Sequence, residues 1–286
     1  MATSRPPAGG GKRSRRRASG AKAVAAAVLA GSLALTAAAG AGEDAVLLTP
    51  RPGVTMPVLF VAPERPPVAS VILFPGGDGR HGVAQRGPDW GVEGNFLIRS
   101  RAFFAEQGFL AAVVDAPSDQ PDGLWRARIT EAHARDAAAV IGEARRRASG
   151  PVWLVGTSMG TISAANAAGR GAGGAGADGL VLTATVFRSH WLLRVSVRDV
   201  TLSEIRMPTL FVHHRQDGCN LTPFADIAPL MRQLTQAPRV DMLEFDGGSS
   251  PRSGPCAALS AHGFLGIERE VVGGIARWIK AASGLQ

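Results

Sequence analysis

From residue 54 onward, short apolar runs recur along the chain, separated by longer stretches in which apolar residues return at helical spacing. The short runs are rich in Val, Ile, Leu and Phe and lack strict alternation, which predicts strands buried on both faces. Val54–Ala62 is bounded by Pro and reads as an edge strand or hairpin arm; strands are then predicted at Ala69–Phe74, Phe109–Val114, 151–155, 180–186, Thr209–His214 and Val240–Phe245. Helical spacing predicts helices over 95–107, 126–148, 161–168, 224–234 and 271–281. This alternation predicts an α/β domain, a mainly parallel sheet with helices on both faces. The stretch 187–207 is too short for a large helical cap.

The first forty residues break the pattern. Arg5, Lys12, Arg13, Arg15, Arg16, Arg17 and Lys22 precede an alanine-rich apolar stretch, 23–39, which ends in the small residues Gly40-Ala41-Gly42. A basic segment, an apolar segment and a small-residue cleavage site make a secretory signal, so residues 1–42 are expected to be a leader and 43–286 one domain. Ser14-Arg15-Arg16-Arg17 carries twin arginines, leaving Sec and Tat export both open, with an uncleaved N-terminal anchor as the competing reading. The leader also reinterprets the charge. Of the formal +8, seven basic residues and no acidic ones precede Glu43, so the remainder carries +1. That excludes nucleic-acid binding by a basic surface as an expectation for the domain. Two cysteines, Cys219 and Cys256, fall in the exported part; an even count in an oxidising compartment predicts one disulfide, against two buried thiols.

Candidate chemistry centres on Gly156-Thr157-Ser158-Met159-Gly160, which joins a predicted strand to a predicted helix. A serine at so tight a turn needs positive φ and nearly absent side chains two positions either side, hence the glycines. With 36 Gly in the chain the motif alone is weak. Its partners strengthen it. A serine hydroxyl needs a base and a group to orient that base, and Asp217 and His262 follow in the order Ser, Asp, His, Asp217 directly past the strand Thr209–His214 and His262 after the last strand and before the last helix. Asp246 is the alternative acid. An oxyanion is expected to meet the N–H of Met159 and one from the turn Pro75-Gly76-Gly77-Asp78-Gly79, with Gly77 favoured and Gly76 next. That turn lacks the Gly-Lys-Ser/Thr of a phosphate loop and the dinucleotide spacing, and no metal-ligand spacing stands out, so neither cofactor nor metal is expected. Of the other candidates, His213 or His214 is expected in the core or lining the pocket, His81 as a substrate contact, His190 in the short cap, and His133 on a helix surface. Asp115 is expected to cap a loop, Arg145-Arg146-Arg147 to be a solvated helix end, and Trp90, Trp125, Trp191, Arg80 and Arg86 are possible pocket residues.

Phe74-Pro75-Gly76-Gly77, the Ser158 pentapeptide, Asp217-Gly218 and His262-Gly263-Phe264 together resemble the α/β-hydrolase superfamily, and the short cap is similar to dienelactone-hydrolase-like and other compact exported esterases. The resemblance covers roughly 54–282. It implies the α/β-hydrolase fold and cleavage of an ester of a small molecule through an acyl-serine intermediate, without a cofactor. Dienelactone hydrolases carry cysteine where this chain has Ser158, and Pro75 replaces a usual histidine. Two alternatives stand beside it: a non-catalytic binding protein on the same fold, and an acyltransferase or peptidase using the same three residues.

Overall fold

A computed structural model describes residues 42–83, 94–171, 176–189 and 194–285, all within the compact unit Ala38–Gln286. Apart from Gly42, the expected leader lies outside the described residues, as do Arg86, Trp90, His190 and Trp191.

Among the described residues an eight-stranded sheet runs in the order β1-β2-β4-β3-β5-β6-β7-β8. β1 (Gly42–Arg51) and β2 (Val54–Ala62) form an antiparallel hairpin, and β2 pairs antiparallel with β4 (Phe109–Val114). β3 (Ala69–Phe74), β5 (Val152–Thr157), β6 (Gly179–Thr183), β7 (Thr209–His214) and β8 (Val240–Phe245) continue in parallel. Every residue of β3 to β7 is buried, because apolar clusters cover both faces. Ile72, Leu154, Leu182 and Phe211 pack with α3 (Glu131–Arg147), α4 (Gly160–Gly169) and α5 (Ile227–Met231). Val71, Val155, Val181 and Leu210 point the other way, towards α1 (Phe96–Arg99), α2 (Arg101–Glu106) and α6 (Glu268–Ala282). This two-sided burial is why the strands read as unbroken apolar runs.

Several expected boundaries are corrected. The helix over 95–107 breaks at Ser100, whose φ of −97° and ψ of 0° end α1 before α2 starts. The helix over 126–148 is a 3-10 turn, Trp125–Ile129, followed by α3; Thr130 Oγ1 accepts the His133 N–H at 3.2 Å and so caps a new helix. The strand over 180–186 stops at Thr183, because Ala184 turns to φ +44° while its apolar neighbours stay buried. The helix over 224–234 shrinks to a 3-10 turn and α5, where Pro229 supplies no N–H. β1 was not expected at all: it is a largely exposed edge strand whose short apolar stretch, Ala45–Leu48, sits between Glu43-Asp44 and Thr49-Pro50 directly after the expected leader. Among the described residues no helix is long and apolar enough to cross a membrane.

Candidate active site

The turn between β5 and α4 sets Ser158 at φ +51°, the left-handed region that a residue with a Cβ rarely adopts. Hydrogen bonds hold it there. Ser158 N–H donates to the Thr183 carbonyl at 3.0 Å, and the Ser158 carbonyl accepts from Thr161 N–H at 2.9 Å and Thr161 Oγ1 at 2.6 Å. The flanking glycines answer to close backbone approach. A Cβ on Gly156 would stand 2.6 Å from the Gly160 carbonyl oxygen, and one on Gly160 only 1.9 Å from the Phe74 carbonyl oxygen. Gly160 is thus where α4 meets the end of β3, which brings the turn after Phe74 alongside Ser158.

Asp217 and His262 arrive from loops beyond β7 and β8. His262 Nδ1 lies 3.0 Å from Asp217 Oδ2, both side chains being buried. The carboxylate also accepts the Thr222 hydroxyl at 2.8 Å on Oδ2 and the Cys219 N–H at 2.9 Å on Oδ1. Burial disfavours the charged carboxylate, but the hydrogen bond and charge of His262, with these two donors, outweigh it and hold the Asp217 pKa below its ordinary value. A proton on Nδ1 facing Asp217 leaves Nε2 with a lone pair. His262 Nε2 is buried and has no hydrogen-bond partner among the described residues, Ser158 Oγ included. Apo sites commonly leave this contact loose. Arg99 secures the histidine loop by donating to the Gly263 and Gly94 carbonyls and pairing with Glu268 at 2.9 Å.

Ser158 and His262 line one cleft with Gly76, Gly77, His81 and Asn95. A Cβ on Gly76 would fall 2.9 Å from Ser158 Cβ, so only glycine admits the serine here. Gly77 has φ +64°. Among the described residues, neither its N–H nor that of Met159 donates within the chain. Asp115 accepts the N–H groups of His81, Val83 and Ala116 at 2.7 to 2.9 Å, the loop cap expected of it. Asn95 Oδ1 accepts from Leu97 N–H at 3.1 Å, which leaves its Nδ2 near Gly76.

Cys219 and Cys256 are disulfide-bonded, tying the Asp217 loop to the His262 loop, and Cys256 reaches the cleft. His213 and His214 are both buried. His213 Nε2 accepts the Thr185 N–H at 2.9 Å, and burial lowers its pKa to about 3. His214 accepts from Gln216 N–H and donates to the Gly247 carbonyl, tying β7 to the loop after β8. His133 is a correction: it is buried, not on the helix surface, and bonds Ser163 Oγ at 2.9 Å. Asp246 is exposed and is not the partner of His262. Trp125 donates to the Asp122 carbonyl. Arg145, Arg146 and Arg147 pair with Asp178, Glu143 and Asp44, as a solvated helix end does. Sequence reasoning missed Thr222, Asn95, Arg99 and Arg128; a threonine five residues past an aspartate, or an arginine inside a helical pattern, carries no local signal.

No protein-family model matches the sequence, and no curated protein matches it. Solved structures do match. TT1662 from Thermus thermophilus superposes with a TM-score of 0.57 at 17% identity over 86% of this chain and 100% of that one. XC6422 from Xanthomonas campestris, described as an α/β serine hydrolase without lid, gives 0.54 at 14% over 84% and 93%. The chain has the α/β-hydrolase fold. A thermostable carboxyl esterase from Bacillus coagulans gives 0.57 at 13% over 84% and 98%. Identities this low carry the fold alone. On this α/β-hydrolase sheet, Ser158, Asp217 and His262 all lie beyond carboxyl ends of strands, where ligands bind on open parallel sheets.

Proposed function

We propose that this chain is a serine hydrolase that cleaves an ester of a small molecule through an acyl-serine intermediate. The observation that carries the reading is the hydrogen bond from His262 Nδ1 to Asp217, with Nε2 left free in the cleft that also holds Ser158. In this reading Nε2 takes the Ser158 proton as Oγ attacks the carbonyl carbon, and Asp217 fixes the ring and balances the imidazolium. The oxyanion is met by the N–H groups of Met159 and Gly77, with Gly76 as the neighbouring donor. His262 then gives its proton to the leaving alkoxide. Water attacks the acyl-serine with His262 as base, releasing the acid and restoring Ser158 Oγ–H. Structural likeness to an α/β serine hydrolase from Xanthomonas campestris and a carboxyl esterase from Bacillus coagulans supports this class. The stretch between β6 and β7, only 184–208, is short for a cap, which supports a small acyl group.

Export completes the proposal: the basic-then-apolar leader and the Cys219–Cys256 disulfide both suit a periplasmic or secreted enzyme. The test is hydrolysis of p-nitrophenyl esters of increasing acyl length by residues 43–286. We expect turnover favouring short acyl chains and lost in Ser158→Ala. Undiminished turnover by Ser158→Ala would overturn the assignment.

A further inference from the structure

Arg128 is a guanidinium in the core, 1% exposed, and among the described residues it has no carboxylate within ion-pair distance. Its hydrogen bonds go to neutral oxygens. Nη1 donates to Ser163 Oγ at 2.7 Å, and Nη2 to the Gly77 carbonyl at 3.1 Å and, more weakly, the Pro75 carbonyl at 3.5 Å. Its Nε makes no hydrogen bond. Burial draws its pKa down to about 9 against the pull of the Asp78 carboxylate, so it remains a cation at neutral pH. The other groups near it do not neutralise it. His133 shares Ser163 Oγ and is held neutral, its pKa lowered to about 3 by burial and by the charges of Arg128 and Arg51. Asp115 is engaged with three loop N–H groups, and burial lowers the pKa of His81. A buried cation without a paired anion is costly, and this one sits directly behind the turn that faces Ser158.

The hydrogen bonds explain what it does there. In a trans peptide the C=O and N–H point in opposite directions, so a donor on the Pro75 carbonyl turns the Gly76 N–H away from Arg128. The stronger bond, to the Gly77 carbonyl, fixes the peptide after Gly77, so the Gly76–Gly77 peptide between the two clamped carbonyls is held from both sides. Ser163 lies on α4, so Arg128 also ties the loop to the helix that follows Ser158. We propose that Arg128 is a positioning residue for the oxyanion loop: it clamps the Gly77 and Pro75 carbonyls from behind. Its unpaired charge then stabilises the negative charge that builds on the substrate oxygen. The inference rests on the serine-hydrolase reading above and extends it to a residue that never touches substrate.

Arg128→Met removes the charge at similar length, and Arg128→Lys keeps it with fewer donors. The measurements are kcat and KM on p-nitrophenyl acetate, affinity for a trifluoromethyl ketone that adds to the serine as a hemiketal oxyanion, and the melting temperature. For Arg128→Met we expect kcat to fall about 100-fold, as when an oxyanion donor is removed, with ketone affinity falling in parallel and KM within about threefold. Arg128→Lys should recover about tenfold of the loss. A role in folding alone would lower the melting temperature without weakening the ketone selectively. Values of kcat and ketone affinity within about twofold of wild type, or a loss confined to KM, would overturn the inference. If the Met variant does not fold, the Lys variant decides: a parallel loss of about tenfold supports it, and no loss overturns it. Wild-type protein inert to both ester and ketone would instead remove the serine-hydrolase reading. Active wild type with indifferent Arg128 variants would remove only this inference.

Discussion

Removing the disulfide is expected to weaken both the fold and the proposed catalytic arrangement, and the two effects can be separated. Cys219 and Cys256 are 37 residues apart. In the chain-entropy model, closing a loop of that length removes roughly 13 cal/mol/K from the unfolded chain, or about 4 kcal/mol at 25 °C. For a domain of this size each kcal/mol corresponds to about 2–4 °C, so the double variant Cys219→Ala/Cys256→Ala should melt about 8–16 °C lower. The local consequence comes from what the bridge joins: the N–H of Cys219 holds Asp217 Oδ1, and Cys256 lines the cleft beside His262. Freed, the acid and histidine loops drift relative to each other, and a misplacement of about 1 Å at a reacting group can cost about 100-fold in rate. The assay is differential scanning calorimetry with ester kinetics at 15 °C, below either transition, on the double variant and on wild type reduced by a phosphine. A melting temperature within about 2 °C of wild type would refute the stability argument. Full kcat in a destabilised variant would leave the bridge as a staple with no part in positioning Asp217 and His262.

Other substitutions probe the remaining joints. Gly160→Ala would set a Cβ 1.9 Å from the Phe74 carbonyl; forcing β3 and α4 apart should cost at least about 3 kcal/mol of stability, read by urea unfolding, and lower kcat with it. Asp217→Asn should lower kcat on the order of 10⁴-fold, since the amide leaves His262 in the wrong tautomer, as steady-state kinetics would report. The same variant carries a pH signature. The Asp217 pKa is depressed on folding, so its stabilising effect is fully present above the unfolded value of about 3.9 and is lost as pH falls through the lower folded value. Unfolding curves of wild type and Asp217→Asn should therefore converge as pH falls through that acid range. Thr222→Val removes a hydroxyl donated to the carboxylate; we expect a stability loss of about 1.5–3 kcal/mol and a raised Asp217 pKa, measured by denaturation and by NMR titration.

The fold was legible wherever burial is two-sided. Ala69–Phe74, Phe109–Val114, Thr209–His214 and Val240–Phe245 were read at their observed limits. The first three have no solvent face to interrupt the apolar run, and β8 kept enough apolar residues to stand out at the edge. β1 was illegible for the converse reason, with Glu43 and Asp44 on an exposed edge strand. Helix breaks at Ser100 and Thr130 were missed because apolar periodicity continues through them; the break at Ser100 shows in its backbone angles, and the one at Thr130 in its side-chain cap on the His133 N–H. At the candidate site, Ser158, Asp217 and His262 were proposed from the sequence because type, order and strand position coincide. Thr222 and Asn95 were not, because no motif marks a threonine near an aspartate or an asparagine before a helix as part of a site. Arg128 was not, because its contacts with Ser163 and Gly77 lie 35 and 51 residues away along the chain. His133 was misplaced on the surface for the same reason: its partner Ser163 sits on another helix.

The central claim is that Ser158 is a nucleophile activated by His262. Incubating residues 43–286 with a fluorophosphonate and mapping the adduct by peptide mass spectrometry tests it most directly. The account predicts a single phosphonylated site at Ser158, lost in Ser158→Ala and strongly slowed in His262→Ala. No adduct, or an adduct on another residue that persists in Ser158→Ala, would contradict it.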